Sequence, residues 1–139
     1  TNLAEDVAQD AFIRAWQHLN SYQPRPSFRN WVYRIATNAA LDVLRREQGA
    51  ADVDSLQLSS LGDGPDDLAE KNERAEAVQQ AVMALPPASR AALVLREYEG
   101  LRYGEIADVL GIPIGTVMSR LNYARSRVAE LLAPYLEAR

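Results

Sequence analysis

The stretch GTVMSRLNYARSRV, Gly115 to Val128, carries Arg120, Arg125 and Arg127 and no acid, in a chain whose net charge is −4. An arginine presented from a helix can donate two hydrogen bonds to a guanine edge, while hydroxyls and further bases grip the sugar-phosphate backbone. Helical spacing puts Thr116, Ser119, Arg120, Tyr123 and Arg127 on one outward face, with Asn122 and Arg125 along its edges. Backbone amides near Ile114, Gly115 and Thr116 could hold a phosphate. The chemistry this offers is recognition of duplex DNA in the major groove. Its competitor is an ordinary solvated basic face.

A different mixture stands upstream, in Tyr22, Arg29, Trp31, Tyr33, Arg34 and Asn38. Aromatic rings stack on unpaired bases, arginine holds phosphate and asparagine can hydrogen-bond a base edge, so this group suits single-stranded nucleic acid. Trp31 and Tyr33 are also suited to a helical core. No nucleophile–base pair, metal-ligand spacing or glycine-rich phosphate loop occurs, so no enzymatic activity, cofactor or metal is expected. His18, the one histidine, reads as a structural or surface residue.

The elements that must carry these groups follow from periodicity. Apolar residues recur at steps of three and four with almost no strand signal, which predicts an all-α chain. In AEDVAQDAFIRAWQHL, the residues Val7, Ala8, Ala11, Phe12, Ala15, Trp16 and Leu19 form a broad stripe, leaving Asp6, Gln9, Asp10, Arg14 and Gln17 mostly off it. Pro24 and Pro26 end that helix. Ser27 is placed to cap the next, FRNWVYRIATNAALDVLRR, which turns Trp31, Val32, Ile35, Ala39, Val43 and Leu44 inward.

From Gln48 to Glu70 the acids Asp52, Asp54, Asp63, Asp66, Asp67 and Glu70 occur with no base, which reads as a flexible acidic linker. Helical pattern resumes over Leu68–Leu85, stops at LPP, and runs again from Ala88 to about Tyr98, with Pro87 in its first turn and Gly100 as its stop. A short helix YGEIADVL, a turn at Gly111 and a helix from about Pro113 through Leu132 complete the chain. Ile106, Ala107 and Leu110 face Val117, Leu121, Ala124 and Val128 with helix-turn-helix spacing. Two small helical domains are therefore expected, over residues 1–47 and 70–139, joined by the linker 48–69.

With 139 residues, 47% hydrophobic content and no cysteine, the chain can bury only modest cores and fits a reducing cytoplasm. It holds no apolar run of the roughly 18 residues a membrane span needs.

The blocks AEDVAQDAFIRAW…SFRNWVYRIATNAALDVLRR and ALPPASRAALVLREYEGLRYGEIADVLGIPIGTVMSRLNYARSRV, in that order, resemble the extracytoplasmic-function sigma factors of the bacterial sigma-70 family. The resemblance implies a stress-response transcription factor that binds core RNA polymerase, directs it to promoters and helps open them. By it, Asp6, Gln9, Asp10 and Arg14 would dock on the clamp helices of the largest subunit, and the second domain would meet the flap region. Tyr22 and Asn38 would capture a flipped base of the minus-ten element, with Arg29, Trp31, Tyr33 and Arg34 in the melting helix. Thr116, Ser119, Arg120, Tyr123 and Arg127 would read the minus-35 duplex. The linker would thread the RNA exit channel, and an anti-sigma factor is an expected partner.

Several features depart from the family pattern. The helices that normally open the first domain are absent, so the chain is expected to be an N-terminally truncated member whose first stripe lacks part of its cover. Met118 and Tyr123 replace frequent bases, which predicts a shallow salt dependence and a reliance on polymerase. PRP replaces a glycine-containing loop. Two other readings compete: an output domain of response-regulator type, which explains only the C-terminal half, and a sigma-like decoy for an anti-sigma factor.

Overall fold

A computed structural model describes residues 3–22, 27–47 and 73–137. Among these residues every regular element is helical: α1 (Leu3–Gln17), a 3-10 turn (Leu19–Ser21), α2 (Phe28–Glu47), α3 (Glu73–Met83), α4 (Pro87–Glu97), α5 (Tyr103–Leu110) and α6 (Ile114–Glu137). The expected linker 48–69 and the PRP loop lie outside the described residues.

Local chemistry sets the boundaries. The Ser27 hydroxyl accepts the Asn30 amide at 3.1 Å, which satisfies one of the orphan donors at the start of α2. Ser27→Ala should therefore cost about 1 kcal/mol, read as a lower thermal midpoint with most of the loss confined to the α1–α2 pair. Pro87 opens α4 as its first residue, where its missing N–H has no helical acceptor to lose. Gly111 closes α5 at φ 68°, a left-handed conformation that lets the chain reverse directly into α6. Beyond Leu132, the expected end, α6 runs on to Glu137 with Pro134 inside it. So near the end of the helix, proline removes one hydrogen bond and leaves the preceding turns intact.

The main core belongs to α3–α6. Leu85, Ile106, Val109, Val117, Leu121 and Ala124 are each at most 2% exposed and form one cluster. The helix-turn-helix positions meet as their spacing requires, with Ala107, Leu110 and Val128 packed part-buried against that cluster.

The N-terminal pair is thinner. Val7 and Ala15 are half-buried and Ala11 is buried, on the side of α1 that packs on α2. The broad stripe expected on α1 is thus divided, because Phe12 and Trp16 are 81% and 79% exposed and Leu19 also stands out. One partner helix covers only about a third of a helix surface, and α2 is the only helix packed broadly on α1 among the described residues. Arg14 joins the two helices instead of standing on a solvated face. It pairs with Asp10 at 3.0 Å and with Asp42 of α2 at 3.2 Å.

The two groups of helices are also in contact, since α2 packs against α5 and α4. Expected as loosely tethered bodies, they meet here across a mainly polar seam, with Tyr33 of α2 resting against the C-terminal core.

Candidate nucleic-acid interface

The buried line Val117–Leu121–Ala124 fixes how α6 is turned. Opposite it, Ser119, Asn122, Tyr123 and Ser126 are exposed, and Tyr123 is half open to solvent. The Ser119 hydroxyl donates to the Thr116 carbonyl at 3.0 Å, which keeps it close to the helix. Thr116 is half-buried.

Arg120 sits lower on the flank than an outward-pointing arginine would. The residue is part-buried and its Nε is shielded from solvent. Its position explains this: it follows buried Val117 by three residues and precedes buried Ala124 by four, and at about 100° per residue that places it within about 60° of both. The other two arginines of the stretch have acidic partners in the chain. Arg127 pairs with Glu130 at 3.1 Å, and Arg125 pairs with Glu97 at 2.9 Å and donates to the Tyr103 hydroxyl at 3.3 Å. The Arg125 guanidinium is held above its ordinary pKa, first by the Tyr103 hydrogen bond and then by Glu97. Sequence reading missed these partners because Glu97 is 28 residues away and Glu130 lies just past the basic stretch. Helical spacing alone could have exposed the Arg127–Glu130 pair.

The upstream set divides in two. Tyr22 and Trp31 lie 5.2 Å apart between ring centroids, and Phe28 completes an aromatic cluster at 5.5 Å from Tyr22 and 5.6 Å from Trp31. Phe28 is 52% exposed and had no part in the expected site. Its place beside the cap residue Ser27 was the available signal. Arg34 and Asn38, one helical turn apart on α2, are both exposed.

Arg29 and Tyr33 point elsewhere. The Tyr33 hydroxyl donates to Glu99 Oε2 at 2.5 Å, and Arg29 donates to the Glu99 carbonyl at 2.7 Å and to the Tyr33 hydroxyl at 3.1 Å. Next to them, the Asn30 amide donates to Glu105 Oε2 at 2.9 Å. The other Glu105 oxygen accepts the Arg102 backbone N–H at 2.9 Å and so caps α5. These contacts hold the Glu105 carboxyl below the usual carboxylate range, the Arg102 amide first and Asn30 second. Tyr33 and Arg29 are therefore occupied within the chain, not displayed beside Arg34 and Asn38.

On α1, Asp6 and Gln9 are exposed, whereas Asp10 and Arg14 are part-buried and engaged with each other. A groove of about 260 Å³ opens between α3, α4 and α6, lined by Val78, Val82, Leu93, Val94, Tyr98 and Val128, with the Glu97–Arg125 pair at its rim. It is the size and character of a seat for apolar side chains of another helix. Among the described residues no group of three or more His, Cys, Asp or Glu could hold a metal ion, and no helix is long and apolar enough to cross a membrane.

Comparison with known proteins agrees with this architecture. Residues 1–50 match the family profile described as Sigma-70 region 2, and residues 75–128 match Sigma-70, region 4. The chain is 36% identical over 137 residues to the ECF RNA polymerase sigma factor SigE of Mycolicibacterium smegmatis, covering 95% of this chain and 52% of that protein. It is 34% identical over 142 residues to the ECF RNA polymerase sigma-E factor of Escherichia coli K12, covering 94% of this chain and 74% of that one. The chain thus spans about half of the first relative and three quarters of the second. A solved complex of the sigma factor RpoE with the anti-sigma factor NepR from Bartonella quintana superimposes with a TM-score of 0.67 at 26% identity, over 97% of this chain and 82% of that one. Two sigma profiles in order, and a relative matched over most of both chains, place this chain among the extracytoplasmic-function sigma factors of the sigma-70 family.

Proposed function

We propose that this chain joins core RNA polymerase and directs it to promoters, with α6 reading the minus-35 element as duplex and α2 receiving an unpaired base of the minus-ten element. The observation that carries the reading is α5–turn–α6, a helix-turn-helix whose inner line is fully buried and whose outer line leaves Ser119, Asn122 and Tyr123 open, with Arg120 and Arg127 on one flank. Residues 1–47 and 70–139 serve as the two recognition units and 48–69 as their linker. Asp6 and Gln9 supply the accessible part of a polymerase-docking face, while Asp10 and Arg14 brace α1 against α2. The groove between α3, α4 and α6 receives an apolar helix, from the polymerase flap or from an anti-sigma factor. Sigma factors are not enzymes, and the work done here is differential binding that favours opened over closed DNA, in the cytoplasm.

Exposed Asn38, one turn from exposed Arg34 and two turns along the same face of α2 from Trp31, is the group assigned to base discrimination. In vitro transcription with core polymerase on a genomic promoter library should give defined start sites with the parent chain. Asn38→Ala should change base preference within the opened element and leave the minus-35 preference as it was. No transcription from any promoter would overturn the functional reading, and an unchanged base preference would remove the Asn38 assignment.

A further inference from the structure

The outer surface of α6 carries a chemistry that its arginines do not explain. At about 100° per residue, Gly115, Ser119, Asn122 and Ser126 lie opposite the buried line Val117–Leu121–Ala124, and all four are exposed. Tyr123 borders that outward line on one side, and Met118 with Ile114 borders it on the other. Tyr123, Met118 and Ile114 are 50%, 49% and 51% exposed, while Val117, Leu121 and Val128 of the same stretch pack inward. The arginines stand further round. Arg120 lies on the flank with its Nε shielded, Arg127 beside it pairs with Glu130, and Arg125, on the opposite flank, is held by Glu97 and the Tyr103 hydroxyl. No charged side chain stands in the outward line between Gly115 and Ser126.

These groups can be matched to base edges. In the major groove a guanine shows two acceptors, O6 and N7, and so requires donors. The Ser119 hydroxyl gives its hydrogen to the Thr116 carbonyl at 3.0 Å and turns acceptor lone pairs outward. Asn122 offers a donor and an acceptor in one plane, the complement of the adenine N7 and amino group. Ile114, Met118 and the Tyr123 ring have one apolar counterpart on the groove edge, the methyl group of thymine. All of them fall in the first three turns of α6, the part of a recognition helix that meets base edges.

We infer that α6 reads a minus-35 element led by A·T pairs, with Asn122 bonding adenine and Met118 and Tyr123 packing on thymine methyl groups. The inference rests on the reading of α6 as the duplex-reading helix, and adds to it the class of base and base-reading roles for Asn122 and Met118. A guanine contact falls to Arg120 at the flank, so the A·T pairs are those that face the outward line.

The test uses holoenzyme assembled from core polymerase and this chain. Duplex promoters with a randomised minus-35 segment, upstream of a fixed minus-ten region from a promoter that the holoenzyme selects, are enriched by binding. The recovered segment should hold adjacent A·T pairs. Two base analogues then probe single groups within it. 7-Deazaadenine replaces the adenine N7 by C–H without disturbing pairing, and should weaken binding about threefold to tenfold. Uracil in place of thymine removes only the methyl group, and should weaken binding about threefold for each methyl lost. Asn122→Ala should erase the 7-deazaadenine effect and keep the uracil effects. Met118→Ala and Tyr123→Ala should each erase the uracil effect at one thymine and keep the 7-deazaadenine effect. The analogues leave the protein unaltered, so they test the contacts whatever the variants do to folding.

A recovered segment led by G·C pairs overturns the inference and leaves α6 standing as the duplex reader. A·T pairs recovered without any analogue effect also overturn it, since the shape of the duplex would then be what is read. Analogue effects that persist unchanged in all three variants overturn the assignment to these residues. Recovery of no preferred segment, by a holoenzyme that still transcribes from its minus-ten element, overturns the reading of α6 itself.

Discussion

Leu121→Ala is expected to destabilise the C-terminal helices by about 2–5 kcal/mol, the usual cost of emptying a leucine site that cannot collapse. Leu121 is wholly buried, on the helix that packs against α3, α4 and α5. Its neighbours in the cluster include Ile106, Val109 and Val117, which come from both sides of the Gly111 turn. Removing its side chain therefore undermines the angle between α5 and α6 as well as the core. For a unit of this size, each kcal/mol shifts the midpoint by about 4–8 °C, and small domains hold only about 5–15 kcal/mol in all. Thermal melting followed by circular dichroism should show a drop of about 10 °C or more, with promoter binding lost in parallel. A shift within about 0.5 kcal/mol, the range of a neutral surface change, would contradict the packing described here.

The positions of the helices were legible in the sequence because their ends rest on local chemistry. Ser27, Pro87, Gly100 and Gly111 each act within a few residues, and each does so at the boundary expected from its type. The core face of α6 was equally legible, since Val117, Leu121 and Ala124 repeat at steps of four and three and have three helices to pack against. On α1 the same periodic reading overreached. It identified an apolar stripe, but the pattern carries no information on how many neighbours will cover it, and α2 covers only the Val7–Ala11–Ala15 side.

The candidate site shows the same division between local and distant information. The outward line of α6 followed from spacing, but the commitments of Arg125 to Glu97 and Tyr103, and of Arg29 and Tyr33 to Glu99, join residues separated by 22 to 70 positions. Nothing near Arg29 in sequence marks Glu99 as its acceptor. Asp10 and Arg14 illustrate a subtler case, because the i,i+4 pair itself is readable, whereas the third member, Asp42, which turns a surface pair into a helix–helix brace, is not.

Arg120→Lys should separate recognition from folding, one residue away from Leu121. Lysine keeps the positive charge and a long aliphatic stem to lie along the flank of α6, but it loses the planar fork that donates two parallel hydrogen bonds to one guanine. If Arg120 reads a base edge, holoenzyme should lose about tenfold to a hundredfold in preference for its minus-35 element over a scrambled one, the worth of one bidentate pair. Affinity for the scrambled duplex should change little, because a phosphate senses the charge that lysine preserves. The measurement is competition binding by holoenzyme on promoters it selects itself, beside a thermal melt of the variant. Arg120 is part-buried, so the melt matters: a large loss of stability would mark it as a packing residue of α6. Equal weakening on both duplexes would instead mark a phosphate contact. Only lost discrimination in a chain that still melts near the parent temperature fits a flank residue that swings its fork from the helix surface into the groove.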